Sequence, residues 1–202
     1  MAINGIVLVG GKGLRLRRDK ALEVVDDKSL LERVVSTLNL FQGDIIIVTA
    51  QEQSLTHSID YPKLRIVADA YPGKGALGGI YTGLMASGSL HNIVVACDMP
   101  FLSHDLLNYM VQLAPGYDVV VPRLGKMLEP LHAVYSRNCL TAIESLLKQN
   151  SLSITMLFSL VKARYVGVEE IDRFDPRHLS FFNINTEADL KRARELIREE
   201  SQ

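Results

Sequence analysis

The 202-residue chain has two cysteines, almost no net charge and no long hydrophobic run, and each of these shortages excludes a class of protein. Cys97 and Cys139 are too few for a disulfide framework, and neither belongs to a CxxC pair, so we expect a reducing compartment. No stretch approaches the roughly 18 consecutive apolar residues of a membrane span. The apolar run at residues 3–9 is too short for the core of a signal peptide. We therefore expect a soluble, cytoplasmic protein without a membrane partner.

The formal net charge is −1, because 22 Lys and Arg residues nearly balance 23 Asp and Glu residues. Such a chain has no overall basic field, and its basic residues do not alternate with aromatic ones, so nucleic acid is not an expected partner. Any affinity for phosphate must come from local clusters of charge. With 48% apolar residues the chain has the composition and the length of one folded domain rather than of a disordered segment.

Short apolar runs rich in β-branched residues predict five strands, at 5–9, 44–50, 64–69, 92–98 and 118–122. They are apolar throughout rather than alternating, which is typical of strands covered on both faces of a parallel sheet. Segments with helical periodicity lie between them, and Ser29, Ser103 and Thr186 are predicted N-caps. Strands that alternate with helices predict an α/β fold with a doubly wound sheet. After residue 122 we predict further strands at 128–136 and 163–170 and helices at 137–149, 153–161 and 186–200.

The stretch LVGGKGLRLRRDKAL at residues 8–22 places glycines and basic residues directly after the first strand. Such a loop can present backbone N–H groups to a phosphate. It is not a dinucleotide fingerprint, because Gly11-Lys12-Gly13 lacks the third glycine and the second strand does not end in an acidic residue. It is not a Walker A loop, because the chain contains no GxxxxGK[ST] string. A triphosphate is the obvious small anion for its cations, which are Lys12, Arg15, Arg17, Arg18 and Lys20.

Two downstream stretches add to this pattern. VVACDMPFL at 94–102 places Asp98 just after an apolar strand, at the edge of the sheet where open α/β sheets bind ligands. A carboxylate there could hold Mg²⁺, which prefers one or two carboxylates together with water and substrate phosphates; a turn or cap role is the alternative. DAYPGKGALGGIYTGL at 69–84 places Asp69 at a strand end, before glycines that allow either the approach of a ligand or close helix packing.

In this order, the three stretches resemble the molybdenum cofactor guanylyltransferase (MobA) family of nucleotidyltransferases. The opening loop of that family, LAGGxSxRMGxDKAL, aligns without a gap with residues 8–22, its D…PGxGPLAGI…GL with residues 69–84, and its CDMPFL with residues 97–102. A PLxxxY strand and an FxNxNTxxDL segment match residues 130–135 and 181–190. The sequence departs from the family at Val9, Arg17 and Ala76, where Ala, Gly and Pro are usual.

The resemblance implies a three-layer α/β/α fold with a mostly parallel, Rossmann-like sheet of the nucleotide-diphospho-sugar transferase type. Residues 1–202 would form a single domain, with the nucleotide-binding part at 1–122 and the acceptor side and C-terminal helix at 123–202. The implied reaction transfers GMP from GTP to molybdopterin, or to its molybdenum-loaded form, with Mg²⁺ and with release of pyrophosphate. Such a transfer needs positioning and charge neutralisation rather than a covalent nucleophile. Other cofactor-biosynthesis proteins and apo-molybdoenzymes are implied as partners.

The family's nucleotide-binding residues match positions in three parts of this chain. The glycine loop would hold the base and ribose of the nucleotide through its backbone, with Asp69 and Gly79 as further contacts. Thr49, at the end of the second strand, is a weaker candidate for a contact to the base. The glycine-loop residues that carry over are Leu8, Val9, Gly10 and Gly11.

The resemblance also implies the catalytic groups. Arg15 and Lys20 would bind the triphosphate, and Asp98 would bind Mg²⁺. Asn183 and Asn185 would lie on the pterin side or near the metal, or would only shape the loop before the last helix.

Several alternatives stay open on the sequence alone. The Gly10-Gly11 pair favours guanylyl transfer, but a cytidylyltransferase or a guanylyltransferase with another phosphate acceptor would share the fold. A non-catalytic GTP-binding adaptor is a candidate of a different class, although Lys20 and Asp98 argue against it. His132 could face the substrate, but a packed histidine is the simpler interpretation.

Overall fold

The structure is a computed structural model that describes residues 3–10, 20–50 and 61–200, with the backbone alone at Lys20 and Glu200. The strands are β1 (Ile3–Val9), β2 (Val24–Val25), β3 (Lys28–Ser29), β4 (Gln42–Thr49), β5 (Leu64–Ala68), β6 (His91–Ala96), β7 (Val119–Leu124), β8 (Met127–Leu128), β9 (His132–Ser136) and β10 (Ala163–Val166). The helices are α1 (Leu30–Asn39), α2 (Gly75–Ala86), α3 (His104–Leu113), α4 (Leu140–Lys148), α5 (Ile154–Leu157), α6 (Val168–Ile171) and α7 (Glu187–Glu200). Short 3-10 helices cover Lys20–Leu22, Arg137–Cys139 and Leu179–Phe181.

One large sheet runs through the described part of the chain in the order β10-β7-β9-β6-β1-β4-β5, with β8 paired to β7. β1 pairs parallel with both β4 and β6, β4 with β5, and β7 with β10. β9 runs antiparallel between β6 and β7. The sheet is therefore mostly parallel, and β9 is the reversed strand within that order.

Both faces of the sheet are covered by helices, which makes the fold three-layered. In β1, Val7 and Val9 face one apolar cluster, whereas Ile6 and Leu8 face the other. The first cluster takes most of its helical members from α1 and α3, with Ile171 from α6; those of α1 and α3 are Leu31, Val34, Val35, Leu38, Leu106, Leu107 and Met110. The second takes most of them from α2 and α4, with Leu157 from α5; those of α2 and α4 are Leu77, Ile80, Leu84, Ile143, Leu146 and Leu147. The predicted three-layer α/β/α fold is confirmed.

The predicted helix starts are confirmed by their hydrogen bonds. The Ser29 hydroxyl accepts from the backbone N–H of Glu32 at 3.2 Å, while the Glu32 carboxylate accepts from the Ser29 N–H at 2.6 Å. At α3, the Ser103 hydroxyl accepts from the Leu106 N–H at 3.2 Å, while the Ser103 N–H donates to the Ser180 hydroxyl. At α7, Thr186 and Asp189 cap each other reciprocally. Each cap satisfies an N–H group that the first turn of a helix leaves unpaired.

The region after residue 122 departs from the predicted elements. The strand predicted at 128–136 is broken between β8 and β9, because Pro130 has no N–H for a sheet ladder. The strand predicted at 163–170 ends at Val166 and is followed by α6, and the helix predicted at 153–161 is only α5. The β2–β3 hairpin was not predicted; with α7 it encloses a third apolar cluster of Val25, Leu30, Ile184, Leu190 and Ala193.

Among the described residues, no helix is both long and apolar enough to cross a bilayer.

Candidate functional site

The carboxyl ends of the parallel strands bring several of the predicted site residues to one edge of the sheet. Gly10 follows β1, Asp69 follows β5, and Asp98 lies two residues beyond the end of β6. Gly10 is exposed and has φ of +141°, a backbone conformation that residues with a Cβ rarely adopt. A ligand at this edge would therefore meet exposed backbone at Gly10 and two carboxylates.

The glycine loop is described only at its two ends. The Leu8 carbonyl accepts from the Cys97 N–H at 3.2 Å, and Val9 is the last β1 residue paired with β4. Gly10 is thus the first residue beyond the ladder. Gly11 and Arg15 lie outside the described residues, and the backbone of Lys20 begins the 3-10 helix that follows the loop.

Asp69 ties the end of β5 to α2. Its Oδ1 accepts from the Tyr71 N–H and from the Thr82 hydroxyl, both at 3.0 Å, and its own N–H donates to the Thr49 carbonyl at 2.9 Å. Thr82 in turn accepts from the Ala70 N–H at 3.1 Å. These bonds fix the carboxylate through one oxygen and leave Oδ2 without a hydrogen bond to any described residue.

Gly79 and Gly83 allow α2 to lie directly against β1. A Cβ on Gly79 would come within 3.2 Å of Leu8 Cδ2, and one on Gly83 within 2.4 Å of Ile6 Cγ2. The sequence was compatible with two roles for these glycines, approach of a ligand or close helix packing. The contact with Leu8 explains Gly79 by packing. A direct contact between Gly79 and a nucleotide stays a prediction.

Asp98 is half-buried and is held from the C-terminal part of the chain. Its backbone carbonyl accepts from the Ile184 N–H at 3.0 Å, so Asn183 and Asn185 flank a residue that touches the end of β6. The Asn183 side chain donates to the Phe181 carbonyl at 3.1 Å, and the Asn185 N–H donates to Asp189 at 2.9 Å. Both asparagines therefore shape the loop and also lie beside the predicted metal ligand.

The donor set at this edge fits magnesium better than a metal with a closed protein cage. Within the described ranges, no three His, Cys, Asp or Glu side chains converge on one point. A single carboxylate such as Asp98 suits Mg²⁺, which completes its coordination with water and substrate phosphates.

His132 is a packed residue, as the simpler interpretation of the sequence predicted. It is fully buried, its ring lies 4.9 Å from that of Phe181, and neither ring nitrogen has a hydrogen-bond partner among the described residues. Burial lowers the pKa of His132 to about 4, because the protonated ring would lose its hydration.

Sequence reasoning did not single out Glu129, which lies at the same edge in the turn before β9. The side chain is half-buried, and burial raises its pKa. The available signal was an acidic residue directly before the PLxxxY strand.

A family model and two relatives that match this chain by sequence identify the family to which it belongs. Residues 5–163 match the family model of the MobA-like NTP transferase domain. A probable molybdenum cofactor guanylyltransferase of Pelotomaculum thermopropionicum is 37% identical over 190 residues, which cover 94% of this chain and 91% of that protein. A molybdenum cofactor guanylyltransferase of Desulfosudis oleivorans is 33% identical over 201 residues, covering 98% of this chain and 96% of that protein.

Solved structures lead to the same family. Molybdopterin-guanine dinucleotide biosynthesis protein A from Archaeoglobus fulgidus superposes with a TM-score of 0.83 at 31% identity, over 98% of this chain and 100% of that one. The 4-diphosphocytidyl-2C-methyl-D-erythritol synthase of Anaerococcus prevotii shares the fold, with a TM-score of 0.69 at 17% identity over 97% of this chain and 96% of that one. The resemblance seen in the sequence is confirmed: the chain belongs to the MobA-like NTP transferase family and is a nucleotidyltransferase.

Proposed function

We propose that the protein transfers the GMP group of GTP to molybdopterin, or to its molybdenum-loaded form, and releases pyrophosphate. The observation that carries this proposal is the placement of Gly10, Asp69 and Asp98 at one edge of the sheet. The names of the relatives in Pelotomaculum and Desulfosudis support guanylyl transfer into the molybdenum cofactor. We infer a cytoplasmic location, with other cofactor-biosynthesis proteins and apo-molybdoenzymes as partners.

In this reaction a terminal phosphate oxygen of the acceptor attacks the α-phosphate of GTP, and the bond to pyrophosphate breaks. The protein contributes positioning and charge neutralisation. The backbone from Leu8 to Gly11 would hold the base and ribose, and Arg15 and Lys20 would neutralise the triphosphate. Asp69, oriented by Tyr71 and Thr82, would accept a hydrogen bond from the nucleotide.

Asp98 would hold Mg²⁺, which when bound supplies positive charge to the phosphates of the substrate. The Ile184 N–H fixes the backbone of Asp98, so the carboxylate starts from an ordered position. Residues 1–122 would then serve mainly the nucleotide, and residues 123–202 the acceptor and the support of Asp98.

The direct test incubates the protein and Mg²⁺ with molybdopterin and each of the four nucleoside triphosphates, and identifies the dinucleotide by mass. GTP should give the guanine dinucleotide with one pyrophosphate per product. A cytosine dinucleotide would instead indicate a cytidylyltransferase. GTP binding without turnover on any phosphate acceptor would indicate an adaptor.

A substitution at Asp98 tests the assignment of the metal ligand. Asp98→Asn should lower kcat by about 10²–10³, the usual cost of losing one group that stabilises developing charge. Pyrophosphate release at saturating GTP and Mg²⁺ measures the effect. Asp105→Asn is the matched control, because Asp105 lies on the surface with its side chain 79% exposed and should leave kcat unchanged. Equal kcat values for the two variants would remove Asp98 from the mechanism.

A further inference from the structure

The turn that leads into β9 holds Glu129 in a fixed position. The Glu129 N–H donates to the Pro122 carbonyl, and the Glu129 carbonyl accepts from the His132 N–H, both at 3.1 Å. The neighbouring Pro130 carbonyl accepts from the hydroxyl of the buried Tyr135 at 2.8 Å. Because three hydrogen bonds hold this turn, the backbone that carries the Glu129 side chain has a fixed position.

The Glu129 carboxylate has no hydrogen bond or ion pair with any described residue, although it is half-buried. Its pKa is raised by burial, which removes water from the charged form. A carboxylate that loses water without gaining a donor is costly to the folded protein. Such a group is suited to a ligand that brings its own N–H donors.

The topology places Glu129 apart from the nucleotide-binding residues. Gly10 follows β1 and Asp69 follows β5, both on one side of β6, whereas Glu129 precedes β9 on the other side. The Ala96 N–H donates to the Leu131 carbonyl at 3.1 Å, so the end of β6 and the start of β9 are level. Asp98 therefore lies between the nucleotide-binding residues and Glu129, where the two substrates would meet.

We propose that Glu129 recognises the acceptor by accepting hydrogen bonds from its pterin ring, an inference that rests on the proposed function. A 2-amino-4-oxo pyrimidine ring presents adjacent N–H donors along one edge, and the two oxygens of a carboxylate accept such a pair. Glu129 is a binding residue: it orients the acceptor so that its phosphate faces the α-phosphate of GTP, and it takes no part in bond making.

The test separates binding of the acceptor from binding of the nucleotide. Glu129→Gln keeps the shape of the side chain but replaces one acceptor oxygen with an N–H₂ donor. The KM for molybdopterin should rise at least tenfold, since one charge-assisted pair contributes about that much, while the KM for GTP stays within about twofold. A fluorescence titration of molybdopterin without GTP should show the same loss in Kd.

A matched control is Glu144→Gln, because Glu144 is a half-buried carboxylate on α4 that already pairs with Lys148 at 2.7 Å and has no role in the proposed reaction. It should leave both KM values unchanged. Glu129→Asp keeps the charge on a shorter side chain, so its loss should be smaller than that of Glu129→Gln. If Glu129→Gln does not fold, a selective rise in the KM for molybdopterin in Glu129→Asp is the supporting result.

Two outcomes would overturn the inference: an unchanged Kd for molybdopterin in a folded Glu129→Gln, or equal weakening of both substrates. The proposed function fails separately, when the wild-type protein forms no dinucleotide from molybdopterin and GTP. In that case the difference in Kd for molybdopterin between the wild type and Glu129→Gln still shows whether Glu129 binds this ring.

Discussion

At His132 the core contains an imidazole for which no described residue provides a hydrogen bond. The ring is packed against Phe181, and the carboxylate of Asp175 favours its protonated form. Both oxygens of Asp175, however, accept hydrogen bonds from backbone N–H groups, those of Leu179 and Ser180, rather than from His132. Burial is the larger effect, and the folded protein keeps His132 neutral.

The stability of the protein should consequently fall on acidification. The folded-state pKa of His132 is lowered to about 4 from 6.5, so the unfolded chain binds the proton more tightly between these values. The stabilisation is fully present above pH 6.5 and is lost as the pH falls toward 4; a shift of this size corresponds to about 3 kcal/mol. Urea unfolding of the wild type and of His132→Leu across this range should show a shallower pH slope in the variant.

Leu160→Ala provides the comparison at a residue that is 58% exposed and has no ionisable group, and it should keep the slope of the wild type. Parallel slopes for wild type and His132→Leu would contradict the assignment of the acid sensitivity to His132.

At the scale of elements, the contact between α2 and β1 depends on glycines rather than on interlocking side chains. The helix lies close enough to the strand for Gly83 to touch Ile6 and for Gly79 to touch Leu8. From the sequence, these glycines are compatible with ligand approach as well as with packing. A glycine in the sequence indicates that space is needed at that position, but it does not show whether a ligand or a neighbouring strand occupies the space.

Gly83→Ala should destabilise the fold by about 1–3 kcal/mol, because overpacking outweighs the gain in helix propensity. The clash with Ile6 would have to be relieved by moving α2 away from β1. Gly88→Ala is the matched control, since a Cβ there meets nothing within 4 Å. Denaturant midpoints of the two variants measure the difference, and similar midpoints would show that β1 adjusts without cost.

The N-terminus of α1 provides a second prediction at this scale. Ser29→Ala removes the hydroxyl that accepts from the Glu32 N–H, while the backbone N–H of residue 29 can still donate to the Glu32 carboxylate, and should lower the free energy of unfolding by about 1 kcal/mol. Ser36→Ala is the control within the same helix, because the exposed Ser36 hydroxyl only donates to the Glu32 carbonyl. A loss in Ser36→Ala as large as in Ser29→Ala would mean that capping is not the cause.

For the molecule as a whole, local sequence patterns predicted the layers and the edge that carries the site. Uninterrupted apolar runs predict the buried strands. Because the carboxyl ends of parallel strands meet at one edge of the sheet, the sequence also predicts that Gly10 and Asp98 lie at the same edge. The direction of β9 was not predictable, because it depends on its partners rather than on its own composition. Glu129 was missed for the same reason: its position follows from the reversal of β9.

The segment before α7 folds back onto the residues that follow β6. Ile184 is fully buried in the cluster that joins α7 to the β2–β3 hairpin, and its N–H holds Asp98. Ile184→Ala should lower the free energy of unfolding by about 2–5 kcal/mol. The rate of hydrogen exchange at the backbone amide of residue 184 should rise. Leu160→Ala, at a side chain 58% exposed, should change neither measurement. An unchanged stability in Ile184→Ala would show that the C-terminal segment is not anchored there.

Because β9 runs antiparallel to β6, the turn before β9, rather than the segment after it, reaches the edge where β6 ends. Donor-side residues lie where β1 and β5 end, whereas Glu129 lies where a strand begins, in a turn bounded by β8 and β9. That turn takes no part in the pairing of β1 with β4 or of β4 with β5. If Glu129 binds the acceptor as proposed, replacing that turn should change which acceptor is used and leave the affinity for GTP unchanged.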